Sequence, residues 1–100
     1  MSKENHPAEF LVYLQDLIAK RKKDLPENSY TTKLFKEGIN KISQKLGEEA
    51  IELIIEAKDN NDELFLNEAA DLVYHFLVLL TEKGYRIEDV IGVLKSRHKK

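Results

Sequence analysis

Apolar residues recur along this chain at the three- and four-residue spacing of helices, with no strand-like alternation worth assigning. Phe10, Leu11, Leu14, Leu17 and Ile18 mark the core face of a first helix, running from Pro7, well placed in a first turn, to about residue 23. Pro26 excludes a continuing helix and biases Leu25 to extended backbone, so residues 24–28 form a connection. Ser29, Tyr30, Thr31 and Thr32 contain good N-caps for a second helix through Leu34 and Phe35. Gly38 interrupts or bends it, after which Ile39, Ile42 and Leu46 resume helical spacing.

The densest pattern runs over residues 46–80. Its first half sets Leu46, Ala50, Ile51, Leu53, Ile54, Ile55 and Ala57 on one side of a helix and Glu48, Glu49, Glu52 and Glu56 on the other. Residues 64–80 are apolar nearly all the way round, the pattern of a buried helix, except for a narrow stripe of Asn67, Glu68, Asp71 and His75. Between the halves lies a polar break, with Asn60 and Glu63 at capping-box spacing, which makes an antiparallel helical hairpin. Lys83-Gly84 stops the second helix, and a last helix from about Ile87 carries Val90, Ile91 and Leu94 and ends in a basic tail including Arg97, His98, Lys99 and Lys100. The expected fold is all-α, four to five helices around that hairpin, in a single domain over residues 1–100 with residues 1–6 disordered.

Folding the hairpin about Asp59 and Asn60 brings its polar stripes into register. With a rise of about 1.5 Å per residue, Glu52 and Glu68 fall at one height, Glu49 and Asp71 one turn further, and Lys45 and His75 one turn beyond. Carboxylates on an apolar helix are costly unless compensated, so something cationic should face Glu68 and Asp71. Four converging carboxylates, Glu49, Glu52, Glu68 and Asp71, make an all-oxygen site suited to Mg²⁺, or Mn²⁺ in its place. For any single glutamate of the first stripe an ordinary solvated face is the competing explanation, and it suits Glu68 and Asp71 least.

Other chemistry-bearing residues keep two explanations each. Lys45 is either a solvated charge or a phosphate contact, and residues 29–31 either cap a helix or also hold an anion. Residues 20–23, Lys-Arg-Lys-Lys, compensate a helix C-terminus or contact phosphate. His75 is a core histidine bonded to Asp71 or part of the site.

Composition narrows the classes. The 100 residues contain no cysteine, which excludes disulfides, thiolate zinc sites and a thiol nucleophile. A net charge of −2, from 16 basic and 18 acidic residues, gives no bulk drive towards nucleic acid. Glu68 and Asp71 break the longest apolar run, so no membrane span and no secretory signal are expected, and the expected location is cytoplasmic. Residues 59–64 have Leu64 where a calcium loop needs Gly, and there is no HExxH, Walker A or GxGxxG motif.

Ser29-Tyr30-Thr31, then Gln44-Lys45-Leu46-Gly47-Glu48-Glu49-Ala50-Ile51-Glu52, then Glu68-Ala69-Ala70-Asp71-Leu72-Val73-Tyr74-His75, with Arg97-His98 near the end, resemble the phosphoribosyl-ATP pyrophosphohydrolases of histidine biosynthesis. The resemblance covers nearly the whole chain. Its acidic core, ExxE followed by ExxD, is similar to that of the wider all-α pyrophosphohydrolases of the MazG and dimeric dUTPase type; the Ser-Tyr-Thr and Gln-Lys-x-Gly-Glu-Glu segments narrow it. It implies that Glu49, Glu52, Glu68 and Asp71 bind Mg²⁺, that Glu48 is a further ligand or orients the water, with Glu49 the alternative for that second role, and that Lys45 holds phosphate. Ser29, Tyr30 and Thr31 would belong to the substrate site, with His75 beside them.

The reaction so implied is hydrolysis of phosphoribosyl-ATP between its α- and β-phosphates, giving phosphoribosyl-AMP and pyrophosphate, with metal and lysine offsetting the charge that develops. A MazG-like bundle completed by a homodimer is expected, because a helix apolar on nearly every side has more apolar surface than its neighbours cover. The cyclohydrolase half fused to many family members is absent, which points to a separate cyclohydrolase chain. Two alternatives share parts of this pattern: a house-cleaning nucleoside triphosphate pyrophosphohydrolase with the same acidic core, and a non-catalytic helical dimer using its carboxylates in ion pairs with Lys41, Lys45 and the basic tails.

Overall fold

Local signals place most of the helix ends in the computed structural model, which describes residues 7–98. Among these, five helices follow one another: α1 (Glu9–Asp24), α2 (Tyr30–Glu37), α3 (Ile39–Ala57), α4 (Asp62–Lys83) and α5 (Ile87–Arg97). No strand occurs among the described residues, and the all-α expectation holds. The disorder expected for residues 1–6, and the last two residues of the basic tail, lie outside the described residues.

The Ser29 hydroxyl caps α2, accepting from the Thr32 N–H at 3.2 Å. Gly38 both ends α2 and starts α3: its N–H bonds the Leu34 carbonyl at 3.0 Å, and its own carbonyl accepts from the Ile42 N–H at 3.1 Å. Its φ of 94° and ψ of −173° lie in a region that only glycine occupies at low cost. Gly84, at φ 87°, closes α4 in a left-handed cap.

Two local expectations are corrected. Leu25 is left-handed (φ 49°, ψ 55°) rather than extended, because its N–H turns back to the Arg21 carbonyl at 2.8 Å and closes α1. The cap of α4 is Asn61, not Asn60: the turn continues through Lys58 and Asp59, whose N–H groups bond Ile55 and Glu56, and Asn61 Oδ1 then accepts from the Leu64 N–H at 3.0 Å.

The fully buried core consists of Ile18, Leu34, Ile42, Leu77 and Val78, one or two residues from each of α1 to α4. Leu11, Leu14, Phe35, Leu80 and Ile87 pack around it. Helix α5 buries none of its residues completely and is fastened by polar contacts. Gln15 of α1, itself 3% exposed, donates from Nε2 to Glu88 at 2.6 Å and accepts the Ile87 N–H at 2.8 Å. Arg86 pairs with Asp16 at 3.0 Å beside it.

The helices α3 and α4 form the predicted hairpin and the most extensive helix pair. Burial of α4 is uneven: His75, Leu77 and Val78 are buried, whereas Leu64, Leu66 and Val73 are exposed, as are Ile51, Ile54 and Ile55 of α3. By length and composition alone α4 is apolar enough to cross a membrane, with a mean hydropathy of 1.4 over 18 residues. Only 17% of that stretch is buried within the chain, and Glu68 and Asp71 near its middle face partners on α3.

Candidate active site

Antiparallel packing of α3 on α4 puts the two acidic stripes in contact. Carboxylate oxygens of Glu49, Glu68 and Asp71 lie within 4.8 Å of one another, Glu49 buried, Glu68 half-buried and Asp71 exposed. Glu52 lies outside that group but close enough to Glu68 for the Glu68 carboxyl to raise its pKa. Three of the four acids singled out in the sequence therefore converge, with Glu52 next to Glu68.

Crowding of like charge leaves its mark on the protonation of the cluster. The close approach of Glu49, followed by burial, raises the Glu68 pKa above the usual carboxylate value, and the close approach of Glu68 does the same for Glu52. Glu49 Oε1 and Glu68 Oε1 are buried and accept no hydrogen bond, as is Glu56 Oε1 further along α3. Buried carboxylate oxygens without donors, all oxygen and close together, fit a hard divalent cation.

Glu48 occupies a different position from Glu49. It is exposed and holds Gln44 Nε2 at 2.9 Å and Lys45 Nζ at 3.4 Å, bonds that lower its pKa. Lys45 has its pKa raised, chiefly by the nearby Tyr30 and then by Glu48, and so stays cationic well above neutral pH.

The N-terminus of α2 is fastened to α4 one turn beyond Asp71. His75 Nδ1 lies 2.8 Å from the Asp71 backbone carbonyl, which can only accept, so Nδ1 carries the proton. Nε2 is then an acceptor, and the Tyr30 hydroxyl, 2.8 Å away, donates to it. Their sequence neighbours pair likewise, the hydroxyls of Thr31, after Tyr30, and Tyr74, before His75, sharing a hydrogen bond. His75 is 5% exposed with both ring nitrogens engaged, so it orients Tyr30. The core-histidine explanation holds in outline, with the Asp71 carbonyl, rather than its carboxylate, as partner.

Beside Asp71 opens a cleft of about 620 Å³, bordered by Arg21, the turn at Glu27 and Asn28, residues 29–31, Tyr74 and His75. Ser29, Tyr30 and Thr31 thus line the same cleft as one acid of the cluster. Tyr74 was not singled out in the sequence; its one local signal is a hydroxyl next to His75 on an otherwise apolar helix. Asn28, at φ 65°, gives the turn its shape, as asparagine tolerates the left-handed region.

The family model described as phosphoribosyl-ATP pyrophosphohydrolase matches residues 11–98. A histidine biosynthesis bifunctional protein of Bacteroides thetaiotaomicron is 55% identical over 96 residues, covering 96% of this chain and 47% of that protein. A phosphoribosyl-ATP pyrophosphatase of Leptospira biflexa is 48% identical over 90 residues, covering 90% of this chain and 98% of that protein. A Bacillus subtilis histidine biosynthesis bifunctional protein is 53% identical over 85 residues, covering 85% of this chain. The chain spans less than half the length of these bifunctional relatives and nearly all of the Leptospira protein.

Proposed function

This chain belongs to the phosphoribosyl-ATP pyrophosphohydrolase family, and on that premise we propose that it hydrolyses phosphoribosyl-ATP to phosphoribosyl-AMP and pyrophosphate, the second step of histidine biosynthesis. The observation that carries the proposal is the convergence of Glu49, Glu68 and Asp71 within 4.8 Å beside a cleft lined by residues 29–31. Glu49, Glu52, Glu68 and Asp71 would hold Mg²⁺, or Mn²⁺, which supplies charge neutralisation and Lewis acidity at the phosphoanhydride.

The chain's own residues do the rest. Lys45 offsets charge on the phosphates, held in place by Glu48 at 3.4 Å. Glu49, turned into the cluster, is the better placed of the two glutamates to orient the attacking water; Glu48 acts through Lys45. Tyr30, its hydroxyl donating a hydrogen bond to His75, turns its oxygen lone pairs to a hydrogen-bond donor such as Lys45 or a substrate hydroxyl.

Pyrophosphate release from phosphoribosyl-ATP, with Mg²⁺ and with chelator, beside dUTP and ATP, tests the proposal. Release confined to phosphoribosyl-ATP and lost with chelator is expected. Equal release from dUTP or ATP would move the chain to the house-cleaning branch, and no release would leave the carboxylates structural.

We further propose that the chain works as a homodimer in the cytoplasm. Ile51, Ile54 and Leu66 are 57–64% exposed, and Leu46, Ala50, Leu72, Val73 and Phe76 line a wholly apolar hollow of about 350 Å³. Apolar area of this kind favours a second copy's hairpin. Sedimentation showing a stable monomer at micromolar concentration would overturn it.

A further inference from the structure

The basic run that closes α1 divides in the folded chain. Lys20 pairs with Asp24 at 3.1 Å and Lys22 with Glu82 at 3.5 Å, while Lys23 is exposed. Those charges suffice for the helix C-terminus. Arg21 differs: it is half-buried, has no carboxylate partner among the described residues, and borders the cleft beside Asp71. It is the one cationic side chain among the residues described as lining that cleft.

We propose that Arg21 binds a second phosphate group of the substrate, the 5′-phosphate of the ribose attached to the adenine ring, and so separates phosphoribosyl-ATP from ordinary triphosphates. The proposal rests on the phosphoribosyl-ATP reading above. A triphosphate anchored at the carboxylate cluster leaves the far end of the nucleotide to fill the cleft, whose volume of about 620 Å³ is that of a small-molecule site. At that end an ordinary triphosphate carries no anion, whereas phosphoribosyl-ATP carries a phosphate monoester. A guanidinium presents paired N–H donors that match phosphate oxygens two at a time, which a lysine cannot do.

Lys33 and Lys36 border a second hollow on the same turn, but none of the clustered carboxylates lines it. A substrate held at Asp71 therefore meets Arg21 first.

The experiment compares wild type, R21K and R21Q on phosphoribosyl-ATP and ATP, with ribose 5-phosphate binding measured by calorimetry and helicity by circular dichroism. Losing a charge-assisted bond should lower the preference of R21Q for phosphoribosyl-ATP over ATP by about 10- to 100-fold, with the loss in KM and partial rescue in R21K. Ribose 5-phosphate should bind wild type and not R21Q. An unchanged preference in a helical R21Q, or a loss equal for both substrates, overturns the proposal. If wild type does not turn over phosphoribosyl-ATP, the functional reading fails by itself, and the titration decides Arg21: binding that needs Arg21 supports a phosphate site, and binding that does not overturns it.

Discussion

The α3–α4 hairpin has two faces made from the same two helices, and they differ in what each can bind. One gathers carboxylate oxygens of Glu49, Glu68 and Asp71 within 4.8 Å, a grouping whose chemistry suits a cation. The other exposes Ile51, Ile54 and Val73 around a hollow lined only by apolar side chains, so it selects apolar surface. A helix ordinarily turns one stripe to the core and one to water. Here Glu49 and His75 of the polar stripes turn inward, helix against helix, and part of the apolar surface turns outward, which is why α4 reads as buried in sequence and is half-bare in a single chain.

The largest effect should come from the acidic face. Glu49→Gln, Glu68→Gln or Asp71→Asn should each lower turnover by at least about 100-fold in a pyrophosphate-release assay. The metal-free protein should respond oppositely. The pKa values of Glu52 and Glu68 are raised in the folded state, so metal-free stability falls as pH rises through them. E68Q should flatten that fall in thermal melts, and a steeper fall would mean that the charges are already compensated.

Next is the apolar face. I54E together with V73E should weaken self-association by at least about 2 kcal/mol, because an association that buries these positions would have to desolvate unpaired carboxylates. Sedimentation measures it, and an unaltered association would place the interface elsewhere.

Smaller again is the junction with the cleft. Y30F and H75N should each reduce kcat/KM by about 10-fold and should not add in the double variant, since both remove the same hydrogen bond. Additive losses would mean that His75 acts separately from Tyr30. The smallest effect belongs to E48Q: its bond to Lys45 is exposed, and exposed ion pairs contribute little, so kcat/KM should fall by less than about 10-fold. A loss equal to that of E49Q would make Glu48 the water-orienting residue.

Much of this was legible in the sequence for a physical reason. Helix ends rest on single residues: Gly38, Gly84 and Ser29 act as expected because backbone angle and capping are local properties. The acidic cluster was legible because a hairpin turns sequence distance from its tip into height, and Glu49 and Asp71 are matched in that distance. What escaped was long-range and polar. Gln15 fastens α5 through partners 72 and 73 residues away, and nothing in the spacing of either segment announces it. Arg21 looked like its three basic neighbours until Asp24 and Glu82 took two of them. Leu25 followed its own helix's last hydrogen bond against the bias of Pro26.

Gly38 has an implication for how this fold tolerates change. Since one residue serves as the stop of α2 and the start of α3, the corner contains no spare length. Lengthening or shortening it by a residue would turn α2 by about 100° relative to α3 and swing Tyr30 away from both His75 and Lys45. Natural length variation should therefore gather in the turn at residues 24–28 and in the hairpin tip, leaving this corner fixed.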